Sequence, residues 1–411
     1  MITKKISEIE IEIIDGDRGL NYPKEDEFSS SGFCLFLSAK NVTKEGFKID
    51  NCQFITEYKD SLLGQGKLKR NDVILTTRGT VGNTAYYNER VVYNHIRINS
   101  GMVILRNNDN RIDNTYLVHF LSSPLFIQQI NRIAFGSAQP QLTVKTINDI
   151  SILFPKDINC QNHISKILNT FNFVLEQTQL TIAKYKNIKQ GLLHDMFTRG
   201  LGANGNLRPT FQQTPELYKE SELGMIPKEW EVIASAEIVR FINGRAYSIY
   251  EWETYGIPVI RLQNLTGSGD TYYYSNLKLP DDQYCNNGDL LYMWSASFGP
   301  HIWNGNKAIY HYHIWKVECS KRILQDYFYY DLLRFTETVL NGANGSTMAH
   351  ITKEKMDKRL VLAPPITEQK EITKRIHSID NKIKSEETLL SKYQSIKRGL
   401  MGDLLSGKKE V

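Results

Sequence analysis

Polar side chains of the kind that hold or read nucleic acid stand beside glycines, just after short apolar runs. Lys40 and Asn41 follow "GFCLFLSA", Thr77, Arg78, Thr80 and Asn83 occupy "NDVILTTRGTVGN", and Gln139 and Gln141 lie in "GSAQPQL". A second set repeats the arrangement: Arg261, Gln263 and Asn264 in "RLQNL", Ser295, Ser297 and His301 in "GDLLYMWSASFGPH", and His350 in "GSTMAH". Arginine pairs bidentately with guanine and Asn or Gln with adenine, whereas lysine meets phosphates without reading sequence. Each of these residues can equally be a turn residue that satisfies its own backbone. The side chains therefore name a chemistry without naming a base.

Other chemistries are poorly supplied. "GQGKLK" contains a Gly-Lys pair, but position 61 is Ser and Leu68 follows Lys67, so it is no phosphate-binding loop. "HYH", read as part of a strand, would put His311 and His313 on one face with Cys319 nearby. No further ligand pair has zinc spacing, so packing is the expected role and no metal site is expected. No G-x-S-x-G elbow occurs. There is also no glycine-rich nucleotide loop, and no Asn/Asp-Pro-Pro-aromatic tetrapeptide for amino-group methylation. Catalytic residues are expected to be none, and any catalysis to belong to a partner.

The elements that must carry these residues recur. "YKNIKQGLLHDMFTRG" (185–200) returns as "YQSIKRGLMGDLLSGK" (393–408), and the lead-in "GSAQPQLTVKTINDISILFP" returns as "GSTMAHITKEKMDKRLVLAP". Repetition at such separation implies a duplicated architecture. Apolar residues follow in steps of four and three: Ile164, Leu168, Phe171, Leu175, Ile182, Tyr185 and Leu192, matched by Ile372, Ile376, Ile379, Ile383, Leu390, Tyr393 and Leu400. Thr178 and Glu386 break both series at the same place. This is a heptad seam on each of two helices of roughly 35 residues, about 50 Å long. Matched seams favour packing of one helix on the other, antiparallel because a whole domain separates them. Between them, Tyr-, Val- and Ile-rich alternating runs broken by Gly and Asn read as strands and turns. Asp72–Gly82 corresponds to Asp289–Gly299, and Ser38–Val42 to Arg261–Leu265.

At 411 residues the chain supports two to three domains of ~150 residues. Five scattered cysteines without C-x-x-C spacing point to no disulfide framework. The chain shows no signal-like apolar core at its start and no apolar run of the ~20 residues a membrane span needs, so a cytoplasmic location without membrane partners is expected. A net charge of +5 permits nucleic-acid binding and does not establish it.

The chain resembles the specificity subunit of type I restriction–modification systems. The residues that carry the resemblance are "ELGMIPKEW" (222–230), "APPITEQKEI" (363–372), and the two helix ends "KNIKQGLLHDMF" and "QSIKRGLMGDLL". Two departures stand out: the first domain lacks the Leu-Gly-x-Ile-Pro-x-x-Trp entry, and before the central helix only Gln161 remains of the pair Glu368–Gln369. The resemblance implies an α+β chain with two mainly β target recognition domains and two long antiparallel helices forming a coiled coil, a pseudo-two-fold repeat. Its expected parts are recognition domain 1 (1–155), a central helix (156–199), a linker (200–222), recognition domain 2 (223–364) and a distal helix (365–407). It further implies a non-catalytic subunit that binds double-stranded DNA at a bipartite asymmetric site, two methylation subunits, and restriction subunits through them. The chain itself is expected to bind no cofactor; S-adenosylmethionine, ATP and Mg²⁺ would sit on partner subunits. The alternatives are a recognition module cut from a single-chain restriction–methylation enzyme, or a stand-alone coiled-coil DNA-binding scaffold.

Overall fold

The computed structural model describes residues 1–134, 141–342 and 351–409. The chain divides into two units, Met1–Leu180 with Glu387–Val411, and Thr181–Glu386. The divide falls within the two long helices. It passes through the middle of both the central helix (Ile158–Thr198) and the distal helix (Ile366–Leu405), so each unit owns half of each.

Packing explains that division. In the first unit Ile164 and Leu168 of the central helix share one apolar cluster with Met401, Leu404 and Leu405 of the distal helix. In the second, Leu193, Met196 and Phe197 share a cluster with Ile372 and Ile376, and Lys189 pairs with Asp380 at 2.6 Å. In both units an early stretch of one helix meets a late stretch of the other, which makes the packing antiparallel. All fourteen expected seam residues are buried or half-buried. The heptad frame nevertheless slips at the ends: Leu192 and Leu400 are half-buried, while their neighbours Leu193 and Met401 enter the cores at 4% and 5% exposure. A straight α-helix drifts ~20° per heptad from a 3.5-residue repeat, enough over this length to turn the adjacent residue inward.

The two units repeat one sheet topology. In the first, strands lie in the order Ile11–Asp15, Met102–Asn107, Val73–Thr76, Thr84–Tyr86, beside a sheet ordered Gln53–Ile55, Cys34–Leu37, Ile96–Ile98. In the second, the corresponding orders are Val239–Asn243, Ile314–Cys319, Leu290–Ser295, Ser297–Ile302 and Tyr273–Ser275, Ile257–Ile260, Ala308–Tyr310, the last extended by Tyr284–Cys285. The parallel pair falls at the same place in both, Cys34–Leu37 with Ile96–Ile98 and Ile257–Ile260 with Ala308–Tyr310. Strands Ile2–Lys5 and Ser151–Phe154 close the first unit as Glu231–Ala234 and Leu360–Ala363 close the second.

Each helix start is fixed by a buried glutamine. Gln161 accepts from the Asp113 N–H (2.9 Å) and donates to the Arg111 and Pro155 carbonyls (both 2.8 Å). Gln369 does the same with the Leu324 N–H (2.8 Å) and the Arg322 and Pro364 carbonyls (3.1 and 2.8 Å). One amide thus satisfies three backbone groups that burial would otherwise leave unpaired.

The neighbouring position is not repeated. Glu368 is a buried acceptor for the Leu201 N–H (2.7 Å), both Arg208 terminal nitrogens (2.6 and 3.0 Å) and the Trp230 indole (3.1 Å). Gly200 adopts φ +58°, and a Cβ there would lie 2.2 Å from Glu368 Oε1. Residues 200–222 are therefore no free tether: Arg208 anchors the segment, and a hairpin of Tyr218–Ser221 with Gly224–Pro227 ends it. In the first unit the Glu368 position holds half-buried Cys160.

Candidate nucleic-acid interface

In the first unit three backbone segments and their side chains lock together at one end of the sheets. Ser38 and Asn41 form a small loop in which the Ser38 N–H and hydroxyl both donate to Asn41 Oδ1 at 2.9 Å, while the Asn41 amide donates to the Lys48 carbonyl (3.1 Å). The 77–83 loop turns on Gly79 (φ +75°) and Gly82 (φ +91°), conformations open to glycine at little cost. It is tied to the first loop by Thr80 Oγ1 donating to the Ala39 carbonyl (3.4 Å) and Asn83 Nδ2 to the Val42 carbonyl (3.0 Å). The 99–101 turn joins through its Gly101 carbonyl, which accepts from the Thr77 and Arg78 N–H groups (2.8 and 3.2 Å); the Leu142 N–H donates to the Thr77 carbonyl (3.1 Å).

The structure therefore brings Lys40, Asn41, Thr77, Arg78, Thr80, Asn83 and Gln141 into one loop cluster. Lys40, Arg78, Thr80 and Gln141 are exposed there, Asn83 is half-buried, and Asn41 and Thr77 are buried. Gln139 lies outside the described residues. The cationic groups at this surface are Lys40 and Arg78, while the amides of Asn41 and Asn83 are engaged by loop carbonyls.

The second unit builds the same scaffold with different side chains. The Arg261 N–H donates to Asn264 Oδ1 (2.9 Å), as Ser38 does to Asn41, and Asn264 Nδ2 donates to the Thr271 carbonyl (3.0 Å). Ser295 and Ser297 pair across Ala296, whose φ of +60° matches that of Gly79, and Gly299 (φ +130°) stands where Gly82 stands. Ser295 is buried, Ser297 and Gln263 half-buried, and the Arg261 guanidinium lies 4.2 Å over the Tyr273 ring. His301 sits further along its strand, opposite Leu291, and burial lowers its pKa. His350 lies outside the described residues.

The third turn, residues 311–313, departs from the expected strand. His311 and His313 are not on one face of a strand: they flank a tight turn between Ala308–Tyr310 and Ile314–Cys319, with Cys319 at the far end of the second strand. This turn is the counterpart of 99–101 and shares its principal backbone hydrogen bonds. The His311 N–H donates to the Ile260 carbonyl at 2.9 Å, as Asn99 does to Leu37 at 2.9 Å. The Trp294 N–H donates to the His313 carbonyl at 3.2 Å, as Thr77 does to Gly101 at 2.8 Å. Glycine is required beneath both turns, since a Cβ on Gly16 would lie 2.2 Å from the Asn99 carbonyl oxygen and one on Gly244 2.3 Å from that of His311.

An aromatic cluster surrounds the second turn and was not among the expected residues. Its signal in the sequence was the match of "NSG" to "HYH" once the flanking strands are aligned. Tyr312 packs 3.8 Å from His313 (ring centroids), Trp294 lies edge-on to His313 at 5.6 Å, and the Trp294 indole donates to the Tyr312 carbonyl (2.9 Å). His311 stacks behind them against Tyr247 and Trp252, at 6.4 and 6.3 Å. Burial, with His313 and Arg261 adding to it, pushes the His311 pKa down to about 4, so its ring is neutral at neutral pH.

Among the described residues, no three His, Cys, Asp or Glu side chains gather in a way that could hold a metal ion, and no helix is long and apolar enough to cross a membrane. The arrangement offers two loop clusters on a common backbone plan, each with exposed or half-exposed cationic and hydrogen-bonding groups.

Comparison with known proteins gives this plan a context. The family model for the type I restriction modification DNA specificity domain matches residues 4–189 and again 227–393. The type I restriction enzyme MjaVIII specificity subunit of Methanocaldococcus jannaschii is 25% identical over 402 residues, covering 92% of this chain and 87% of that subunit. The MjaIX specificity subunit of the same organism is 21% identical over 359 residues, covering 83% and 78%. The crystal structure of a type I restriction-modification system S subunit from M. genitalium aligns over 98% of this chain and 95% of its own length, with a TM-score of 0.56 at 14% identity, a likeness of fold.

Proposed function

Since the chain belongs to the family of type I restriction–modification DNA specificity domains, which it contains twice, we propose that it reads a bipartite, asymmetric site in double-stranded DNA and positions methylation and restriction subunits on it. The observation that carries this reading is the duplicated loop scaffold: one backbone plan, kept to individual hydrogen bonds and positive-φ residues, bearing different side chains in its two copies. A shared frame suits two equivalent approaches to a duplex, and divergent side chains suit two different half-sites. In the first half Lys40 and Arg78 would meet phosphates or base edges. Asn41, Asn83 and Asn264 would act by holding their loops in shape, because their amides already serve neighbouring carbonyls.

The matched helices support a second element of the reading. Helix stretches of similar sequence in each unit would offer equivalent surfaces to two copies of one partner, the methylation subunit. On this reading the chain has no catalytic centre and holds no cofactor, and S-adenosylmethionine, ATP and Mg²⁺ are used by the partner subunits.

The decisive experiment has two arms. The purified chain, incubated with labelled S-adenosylmethionine and a plasmid of mixed sequence, should transfer no label until the methylation subunit is added. Long-read mapping of methylated adenines in cells with and without the gene should then reveal one two-part motif that depends on it. Label transfer by the lone chain, or an unchanged methylome, would overturn the reading.

A further inference from the structure

The two helix crossings share one plan and differ in how one lysine is neutralised. In the second unit Lys189 of the central helix pairs with Asp380 of the distal helix at 2.6 Å, and the Tyr330 hydroxyl donates to the same carboxylate at 2.6 Å. The Lys189 ammonium also lies 5.6 Å from the Tyr330 ring centroid. In the first unit these positions belong to Lys397, Asn172 and His119. The repeated helix ends align Lys397 with Lys189, the seam aligns Asn172 with Asp380, and the N–H groups held by the buried glutamines, Asp113 and Leu324, align His119 with Tyr330. The apolar clusters agree, because Ile164 and Leu168 share one with Met401 and Leu404 as Ile372 and Ile376 share one with Leu193 and Met196.

Asn172 carries no charge, and its counterpart's role goes unfilled. Among the described residues the Lys397 ammonium makes neither an ion pair nor a hydrogen bond, although the residue is half-buried. Burial lowers its pKa, and the one acid whose charge acts on it is Glu45, exposed on the Val42–Phe47 hairpin and beyond ion-pair distance. His119 supplies no negative charge; burial, with the Lys397 charge adding to it, keeps its ring neutral at neutral pH. A cation partly withdrawn from water without a counterion costs free energy that a partner can return.

We infer that the Lys397 ammonium is the docking point for a carboxylate side chain of the methylation subunit, which takes at this crossing the place Asp380 holds at the other. The inference rests on the partner proposed above for the matched helix stretches. The second crossing selects the chemistry of the occupant, since the lysine at this position there meets a carboxylate oxygen. The two docking surfaces thus follow one plan and differ in charge at this point: one draws an acid from the partner, the other carries its own.

The test uses the full chain and the methylation subunit, with native mass spectrometry counting complexes that hold one or two partner copies. K397M is expected to weaken one of the two binding steps about tenfold, so that the one-copy complex accumulates, while the melting temperature of the lone chain stays level or rises. N172D, which supplies the acid within the chain, should weaken the same step and raise that melting temperature. Unchanged assembly in either variant overturns the inference, as does equal weakening of both steps. A lowered melting temperature of the lone K397M chain also overturns it, because Lys397 would then be satisfied internally. Loss of affinity for duplex DNA with assembly intact overturns it in favour of a phosphate counterion. Failure of the wild-type chain to bind any methylation subunit instead refutes the proposed function.

Discussion

Glu368→Ala is the most informative single change in the second unit. The carboxylate accepts four hydrogen bonds, from Leu201, twice from Arg208, and from Trp230, and the side chains of Glu368 and Arg208 are each only 8% exposed. Removal leaves a buried guanidinium whose remaining partners are the Arg199 carbonyl (3.0 Å) and Glu229 (3.4 Å), the latter on a side chain 57% exposed. It also orphans an amide and an indole N–H. Breaking one side of a buried ion pair costs about 3–5 kcal/mol, and the orphaned donors place this site at the upper end of that range. Adding Arg208→Met should recover a good part of the loss, since it takes away the uncompensated charge. All five tryptophans (Trp230, Trp252, Trp294, Trp303 and Trp315) lie in the second unit, so urea unfolding followed by tryptophan fluorescence reports on that unit alone. Cys160→Ala, at the equivalent place in the first unit, should shift the far-UV circular dichroism transition by less than about 1 kcal/mol. A Glu368→Ala penalty below about 1 kcal/mol, or a double variant no more stable than the single one, would refute the assignment of Glu368 as the hub.

Acid should destabilise the first unit through His119, which is buried, with Nε2 3.0 Å from Asn169 Oδ1, and whose pKa burial lowers to about 4. Its unfolded value is near 6.5, so the unfolded chain binds the extra proton first. The contribution is fully present above pH 6.5 and is lost as pH falls toward 4, at about 1.4 kcal/mol per pH unit; His119→Gln should flatten this slope in urea titrations, and identical slopes would count against it. Gly191 and Gly399 lie inside the long helices with nothing within 4 Å of an added Cβ. Alanine at either should stabilise the isolated chain by about 0.5–1 kcal/mol in thermal melts, and a lowered melting temperature would show a contact not visible in the chain alone.

Much of this protein is local and was legible in sequence. The repeated helix ends, the seam spacing, the alignment of Asp72–Gly82 with Asp289–Gly299 and that of Ser38–Val42 with Arg261–Leu265 all rest on rules of period and turn chemistry that act over a few residues. They accordingly reappear as matched registers and matched positive-φ positions, even where Ala296 replaces a glycine. What the tertiary structure decided involves partners far apart in the chain. Arg208 and Glu368 are separated by 160 positions, and nothing near "NLRPT" announces that its arginine is buried. The side chains of Asn41, Asn83 and Asn264 turn to loop carbonyls because a close-packed loop cluster leaves few backbone groups to water, a demand set by the assembled loops. The turn at 311–313 looked like strand because its residue types favour strands, yet Gly244 and the carbonyl of Ile260, both distant in sequence, bend it. Leu192 and Leu400 yielded the inner face to Leu193 and Met401 because helical pitch accumulates over the whole length of the helix. Residue types thus determined which elements form and that they form twice; only the packed chain determined which side chain closes each contact, since that choice depends on distance in space.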